Sequence, residues 1–491
     1  MVQIKEINPT EVWSIFDQML QVPRPSNHEE KIQEWAMNFG KSLGLETQMD
    51  EARNVIIRKP ATPGMENRKG VILQGHLDMV PQKNSDKQHD FLTDPIEAYV
   101  DGEWVTANGT TLGADNGIGV SSALAVLASK NLQHGPLEVL LTATEETGMD
   151  GAKGINPEVL KGDILINTDS EDEGELYVGC AGGEDANITF AYREEPVPEG
   201  FTGVKLSVTG MKGGHSGIDI PLGRGNAIKV FFRILNEVSL KLGVRLASVD
   251  GGSLRNAIPR EAFGMLAVEK SKIEDLAALV EDIAATIKKE LAATEPDMMV
   301  KMEETPLPDS LIDQKTQEKL SFSVRACPNG VIRMSDSMEG LVETSTNLAI
   351  MKSDPQTKTI NGACLMRSSV DSAKTELGAR IKAVFTLAGG EVGFSGSYPG
   401  WKPNLDSQIL KIMQDVYKNK FGKTPKIMAI HAGLECGILG STYPAWDMIS
   451  FGPTIRYPHS PDEKVNIETV RKFWEFLVET LKHIPGKNQP V

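Results

Sequence analysis

The chain has 491 residues, 40% hydrophobic and 24% charged, a balance that fits a globular protein with a sizeable core and, by length, about three domain-sized units. A formal net charge of −16 argues against nucleic acid and anionic membranes as partners, since both need basic faces. No apolar run approaches the roughly 18 residues of a membrane helix, no signal peptide is visible, and the four cysteines (Cys180, Cys327, Cys364, Cys436) form no Cys-x-x-Cys pair. The expectation is a cytoplasmic protein with reduced thiols, in which any metal is held by His, Asp and Glu.

Asn8-Pro9 ahead of Glu11–Leu20 predicts a cap, a first-turn proline and an amphipathic helix. Ser26 with Glu29 predicts a capping box that opens a second helix, running to about Leu43. Strands follow near Asn54–Lys59 and Gly70–Gln74, the second leading to Gly75-His76-Leu77-Asp78. Residues two apart on a strand share a face, so Asp78 is placed to sit near His76 or orient its ring, a common arrangement for a zinc-ligating histidine. Tyr99–Val105 reads as a hairpin turning at Asp101-Gly102.

Gly113-Ala114-Asp115-Asn116-Gly117 then forms a loop feeding a helix over Val120–Ser129. Leu137–Thr144 is a buried strand ending at Glu145-Glu146, and Ile164–Asp169 another. Strands alternating with helices predict an α/β fold, a mostly parallel sheet flanked by helices with its ligand site at the carboxyl ends of the strands. His76, Asp115, Glu145, Glu146 and Asp169 all fall at or just after such ends.

From about Glu184 the rhythm changes. Val204–Thr209, Asn226–Leu242, Val244–Val249, Phe263–Glu269, Ile273–Ala293 and Met298–Glu303 read as β-α-β-β-α-β, one ferredoxin-like lobe. A second set follows, with helices near Leu311–Val324 and Ser372–Leu387 and strands around Met338–Ser353, Thr357–Ser368 and Glu391–Ser397. The predicted organisation is one α/β domain in two parts, 1–183 and 398–491, with a two-lobed α+β ferredoxin-like domain inserted over 184–397. The second part carries Tyr457-Pro458-His459.

His76, Asp115, Glu146, Asp169 and His459 are the candidate ligands, a donor set that suits Zn²⁺, with Mn²⁺ or Co²⁺ as alternatives. Five exceed the three that a single catalytic zinc uses, but they fit two metals if one carboxylate bridges. Adjacent residues do not easily ligate the same ion, so one of Glu145 and Glu146 is free for acid–base work on the metal-bridging water. Taken singly, each residue has a plain structural role open to it, Asp115 as a helix cap or Asp169 as part of an acidic run. Their shared placement after apolar strands is what favours chemistry.

His76-x-Asp78, Gly113–Gly117, Thr144-Glu145-Glu146-Thr147-Gly148, Asn167-Thr168-Asp169 and Pro458-His459 occur in the order of one co-catalytic zinc peptidase family, which contains aminoacylase, carboxypeptidase G and the carnosinases. Gly213-Gly214-His215-Ser216-Gly217, Thr168–Asp172 and His431–Gly437 look most like its bacterial aminoacyl-histidine dipeptidase branch, and the resemblance covers nearly the whole chain. It implies two Zn²⁺, one on His76 and Asp169, the other on Glu146 and His459, with Asp115 bridging and a cis bond after it. Glu145 would be the general base, Asp78 would buttress His76, and His215 would stabilise the tetrahedral oxyanion.

In simple dimeric members that histidine comes from the partner subunit. The resemblance makes 1–183 with 398–491 the catalytic domain and 184–397 its lid domain, and a lid of two lobes suggests that His215 acts in cis. Asn256, Arg367 and Gly433 correspond to substrate contacts, Arg367 to the C-terminal carboxylate and Gly433 to a catalytic-domain loop. The resemblance implies a dipeptide substrate, with C-terminal histidine favoured, and favours a homodimer. The alternatives are a deacylase or carboxypeptidase acting on N-acyl amino acids, and a binding protein that has lost catalysis. Gly214–Gly217 is not a Gly-x-Ser-x-Gly elbow, no cysteine sits in a protease signature, and Gly117-x-Gly119 lacks the full dinucleotide fingerprint.

Overall fold

Val71–His76, Leu137–Thr142 and Ile164–Asn167 are buried at every position, which requires cover on both faces and selects a parallel arrangement. The computed structural model describes residues 3–487; residues 1–2 and 488–491, at the outer ends of the first and last predicted segments, lie outside it. Two compact units result, one running to Cys180 and taking up Trp401–Ala429 and the chain from Leu434, the other made of Ala181–Gly400 with Ile430–Gly433. The unit boundaries thus fall at 180/181 and 400/401, where 183/184 and 397/398 were expected.

The first unit is built on an eight-stranded sheet in the order Glu46–Met49, Val55–Lys59, Leu137–Thr142, Val71–His76, Ile164–Asn167, Asp447–Ser450, Glu175–Cys180, Lys426–Ile430. Its centre is parallel, Val71–His76 lying between Leu137–Thr142 and Ile164–Asn167, with Asp447–Ser450 next in line. Antiparallel pairs flank it, Glu46–Met49 with Val55–Lys59 and Val55–Lys59 with Leu137–Thr142 on one side, and Asp447–Ser450 with Glu175–Cys180 on the other. Helix Ala114–Ala128 is buried almost throughout and packs with Thr10–Leu20. The predicted hairpin is present as Ala98–Asp101 and Trp104–Ala107, turning at Gly102 in the left-handed region (φ 59°).

Two local expectations fail. Ser26 and Glu29 form no capping box: helix Glu30–Ser42 has no side-chain cap. The Ser26 hydroxyl donates to Asp78 Oδ2 (2.8 Å), and Glu29 accepts the Thr144 N–H (3.0 Å) and hydroxyl (2.9 Å). Capping groups near a site are drawn off by partners that local sequence cannot see. Pro9, for its part, occupies the N-cap rather than the first turn of Thr10–Leu20, after a cis Asn8–Pro9 bond.

The second unit holds one nine-stranded sheet rather than two separate lobes. Phe201–Thr209, Arg245–Gly251, Ala262–Glu269 and Met299–Thr305 form the first ferredoxin-like set, in the strand order 4-1-3-2. The second set has the same order only when Gly182–Ala191 is counted as its first strand. The sequence reading missed that strand because it straddles the expected boundary, and because the whole first set is inserted between it and helix Gln314–Ala326. The second strands of the two sets, Arg245–Gly251 and Val342–Asp354, pair antiparallel through Asp250↔Lys352 and Gly251↔Met351. One apolar core runs beneath both sets. Side-chain alternation leaves Asp185, Asn347 and Arg367 on the opposite, polar face.

Candidate active site

The first unit brings together seven of the eight residues that the sequence assigned to it, all but Gly433. His76 ends its strand with Nε2 3.2 Å from Asp115 Oδ1 and 3.3 Å from Asp169 Oδ1. His459 Nε2 lies 3.3 Å from Asp115 Oδ2 and 2.9 Å from Glu146 Oε2. The two oxygens of Asp115 therefore face different histidines, and each histidine has a further carboxylate of its own. Asp115 precedes a cis bond to Asn116, inside the kinked start of helix Ala114–Ala128. Gly75 permits the close approach of this loop, since a Cβ there would lie 2.2 Å from Asn116 Oδ1.

Asp78 does more than buttress His76. The His76 Nδ1–H points at the Asp78 carbonyl (3.1 Å), with the carboxylate 3.3 Å away. That carboxylate also accepts the N–H groups of Glu145 (3.0 Å) and Glu146 (3.2 Å). Asp78 lies beyond the end of Val71–His76, so strand alternation was not what brought it to the ring. Glu145 and Glu146 sit on a helical turn, Glu145–Gly148, entered through Thr144 in the left-handed region (φ 57°). Among the described residues none hydrogen-bonds the Glu145 carboxyl.

The electrostatics are those of negative charge crowded into a buried cleft. Burial pushes Asp169 up to about 7 and Glu145 well above the usual carboxylate range, with His76 opposing both. Burial also works on Asp115, but hydrogen bonds to His459 and His76 outweigh it and hold Asp115 below the usual range. Hydrogen bonds to Asp115 and Glu146 raise His459 to about 11.

Divalent ions fit these residues. Glu146 Oε1 and Asp169 Oδ1 are buried without a hydrogen-bond partner, and His76, Asp115 and Glu146 each offer a ligand atom within 4.8 Å of the others. Ligand atoms about 2.0–2.1 Å from one tetrahedral ion lie roughly 3.3 Å apart, close to the separations found here.

Several supporting residues escaped the sequence reading. Arg24, 2% exposed, donates to the carbonyls of Leu77, Asp78 and Gly113. Glu435 is fully buried, accepts from Gln74 Nε2 (2.6 Å) and the Thr142 hydroxyl (2.7 Å), and is pushed by burial up to about 7. Glu463 accepts four backbone N–H groups. Burial pushes its carboxyl up to about 7, yet four donors leave a proton no acceptor and require the carboxylate. Its place four residues after His459 was the one available signal.

The second unit carries a separate polar cluster. His215, in the short strand Gly214–His215 paired with Ala257–Ile258, accepts the Gly217 and Ile218 N–H groups at Nδ1 (3.2 and 3.1 Å). Two shorter bonds into Nδ1 outweigh the 3.5 Å approach of Arg367 Nη2 to Nε2, so the proton of the neutral ring is on Nε2. Burial and the adjacent Arg367 guanidinium hold the ring below its ordinary value, hence neutral. Arg367, 5% exposed, donates to the Tyr398 hydroxyl (3.2 Å) and the Ser216 hydroxyl (3.4 Å). Asn256 is exposed, and its carbonyl accepts the Ser216 N–H (2.8 Å). Gly433 groups with this second unit and not with the first, as the loop Ile430–Gly433 is tied to Ala181 through the carbonyls of Ile430 and Ala432.

His431 is buried against the Ser345 hydroxyl (2.7 Å), and burial, reinforced by the charge of Arg367, holds its imidazole down at about 3. The unfolded chain, with an ordinary value of 6.5, binds more protons between these limits. This histidine's contribution is complete above about 6.5 and is lost as pH falls toward about 3, by about 1.4 kcal/mol per pH unit for one proton. Between about pH 7 and 4, the stability that His431→Gln loses with falling pH in urea unfolding is expected to be smaller than that of wild type, by up to about 1.4 kcal/mol per pH unit.

Residues 72–483 match the model of peptidase family M20/M25/M40. The chain is 48% identical, over 487 residues covering 99% of it and 100% of the relative, to the cytosol non-specific dipeptidase of Escherichia coli (strain K12). Among solved structures, aminoacylhistidine dipeptidase from Vibrio alginolyticus matches with a TM-score of 0.94 at 50% identity, over 99% of both chains. A tripeptidase from Staphylococcus aureus, 17% identical with a TM-score of 0.57 over 97% of this chain and 99% of its own, shares the fold.

Proposed function

The chain belongs to peptidase family M20/M25/M40, and on that premise we propose that it is a metal-dependent dipeptidase whose substrates include dipeptides ending in histidine. The observation that carries this reading is the division of Asp115 between two histidines, each with its own second carboxylate. His76 with Asp169, and His459 with Glu146, would hold two divalent ions that share Asp115, Zn²⁺ by donor type, with Mn²⁺ or Co²⁺ as alternatives. Such ions, when bound, acidify a water molecule and polarise the scissile carbonyl.

Glu145 acts as the base in this reading. Its carboxylate takes a proton from the attacking water and returns it to the amine nitrogen as the peptide C–N bond breaks, so the net reaction is addition of one water across the amide. Asp78 holds the Glu145 and Glu146 amides and the His76 ring in one frame, so the base and the ligands keep their spacing.

His215 supplies the oxyanion donor, a role that suits its neutral, Nε2-protonated tautomer, and Arg367 takes the C-terminal carboxylate, which a guanidinium fork pairs well. His215→Ala is expected to lower kcat by about 10²–10³-fold. Mixing His215→Ala with Glu145→Ala protein should restore nothing if His215 acts in cis; recovered activity on subunit exchange would show action in trans.

We place the enzyme in the cytoplasm, and the family resemblance favours a homodimer, a size to be read by sedimentation. Among the described residues no helix is long and apolar enough to cross a membrane. The test of the whole reading is hydrolysis of Gly-His, Gly-Leu and N-acetyl-Gly-His by metal-loaded protein. Cleavage of the free-amine peptides alone supports a dipeptidase. Preference for the acetylated substrate would make it a deacylase, and turnover of none would leave only binding.

A further inference from the structure

Glu463 is 2% exposed and lies in the same loop as His459. Its Oε2 accepts the N–H groups of Leu112 (2.8 Å) and Gly113 (2.9 Å), and its Oε1 those of Ala114 (2.8 Å) and Asp115 (3.2 Å). Consecutive N–H groups along a strand point to alternate sides and do not converge on one point. They converge here because Gly113 adopts the left-handed conformation (φ 73°) and wraps the segment around the carboxylate. Arg24 meets the same segment at the Gly113 carbonyl, and also binds the carbonyls of Leu77 and Asp78 just after His76. The loop that carries Asp115 is thus tied through its donors to the loop of His459, and through one acceptor to the end of the His76 strand.

We propose that Glu463 is a positioning residue that fixes Asp115 between His76 and His459 and thereby sets the affinity of the site for divalent ions. The proposal rests on the metal-centre reading above. Its distinctive consequence comes from donor counting. A carboxylate has about four acceptor sites, matching the four N–H groups it meets. A glutamine of the same shape has one accepting oxygen, and its NH₂ group would confront two N–H donors. Glu463→Gln is therefore nearly as damaging as truncation, whereas a side chain needed only for packing would tolerate it.

The experiment is Zn²⁺ affinity of the full-length protein, by competition with a chromogenic chelator, for wild type, Glu463→Gln and Glu463→Asp. Glu463→Gln is expected to bind at least about tenfold more weakly, as loss of a partner that orients a ligand does, with Glu463→Asp in between. Zn²⁺ affinity of Glu463→Gln within about twofold of wild type would overturn the proposal while leaving the metal-centre reading intact. No Zn²⁺ binding by wild type would remove that reading and this one with it. If the glutamine variant does not fold, hydrogen exchange of chelator-treated wild type decides: slow exchange of the amides 112–115 supports the clamp, and rapid exchange overturns it.

Discussion

Glu145→Gln is expected to fold, to keep the metal content and KM of the wild type, and to lose about 10²–10⁴-fold in kcat on Gly-His, the usual contribution of a positioned general base. The structure separates this residue from its neighbour. Glu146 turns its carboxylate to His459 (2.9 Å), whereas no protein group hydrogen-bonds the Glu145 carboxyl among the described residues, and its backbone is pinned through the Asp78 carboxylate (3.0 Å). A side chain on a fixed backbone with a free carboxylate can take and return a proton without rearrangement.

Burial raises the Glu145 carboxyl well above its usual range, which increases its basicity toward water. Gln keeps the shape and removes the basicity, so a kcat within about tenfold of wild type would assign the proton transfer elsewhere. Glu146→Gln is the paired control, expected to lose metal as well as rate.

The parallel strands were legible because they are buried on both faces and read as short apolar runs; Val71–His76 is the clearest. The candidate ligands His76, Asp115, Glu146 and Asp169 stood out by their places at or just after strand ends, and the family resemblance added His459 and implied a role for each. What the sequence did not disclose shares a physical cause: its partners are remote in the chain. Ser26 and Glu29 spell a capping box, yet they bind Asp78 and Thr144. Glu463 looks like one more acidic loop residue until four amides some 350 positions away are brought to it. Gly182–Ala191 was invisible as a strand of the second set because more than a hundred residues separate it from its own helix, Gln314–Ala326. In each case local propensity was outvoted by a partner that only the folded chain supplies.

The shared position of Asp115 makes metal stoichiometry a sharper test than activity. In Asp169→Ala, His76 keeps Asp115 as a neighbour but loses its second carboxylate, while His459 retains both Asp115 and Glu146. The expected content is close to one ion per chain, against two for the wild type. Asp115→Ala strips an oxygen from both histidines at once, so content near zero is expected, with turnover at background.

A ligand that binds only the folded state stabilises it by about 2.7 kcal/mol at a hundredfold excess over Kd. Chelation should therefore lower the melting temperature of the wild type, reversibly on adding Zn²⁺, and leave that of Asp115→Ala unchanged. Elemental analysis of gel-filtered protein, beside melting curves with and without chelator, checks both statements. Equal metal loss in Asp169→Ala and Asp115→Ala would mean that Asp115 does not bridge.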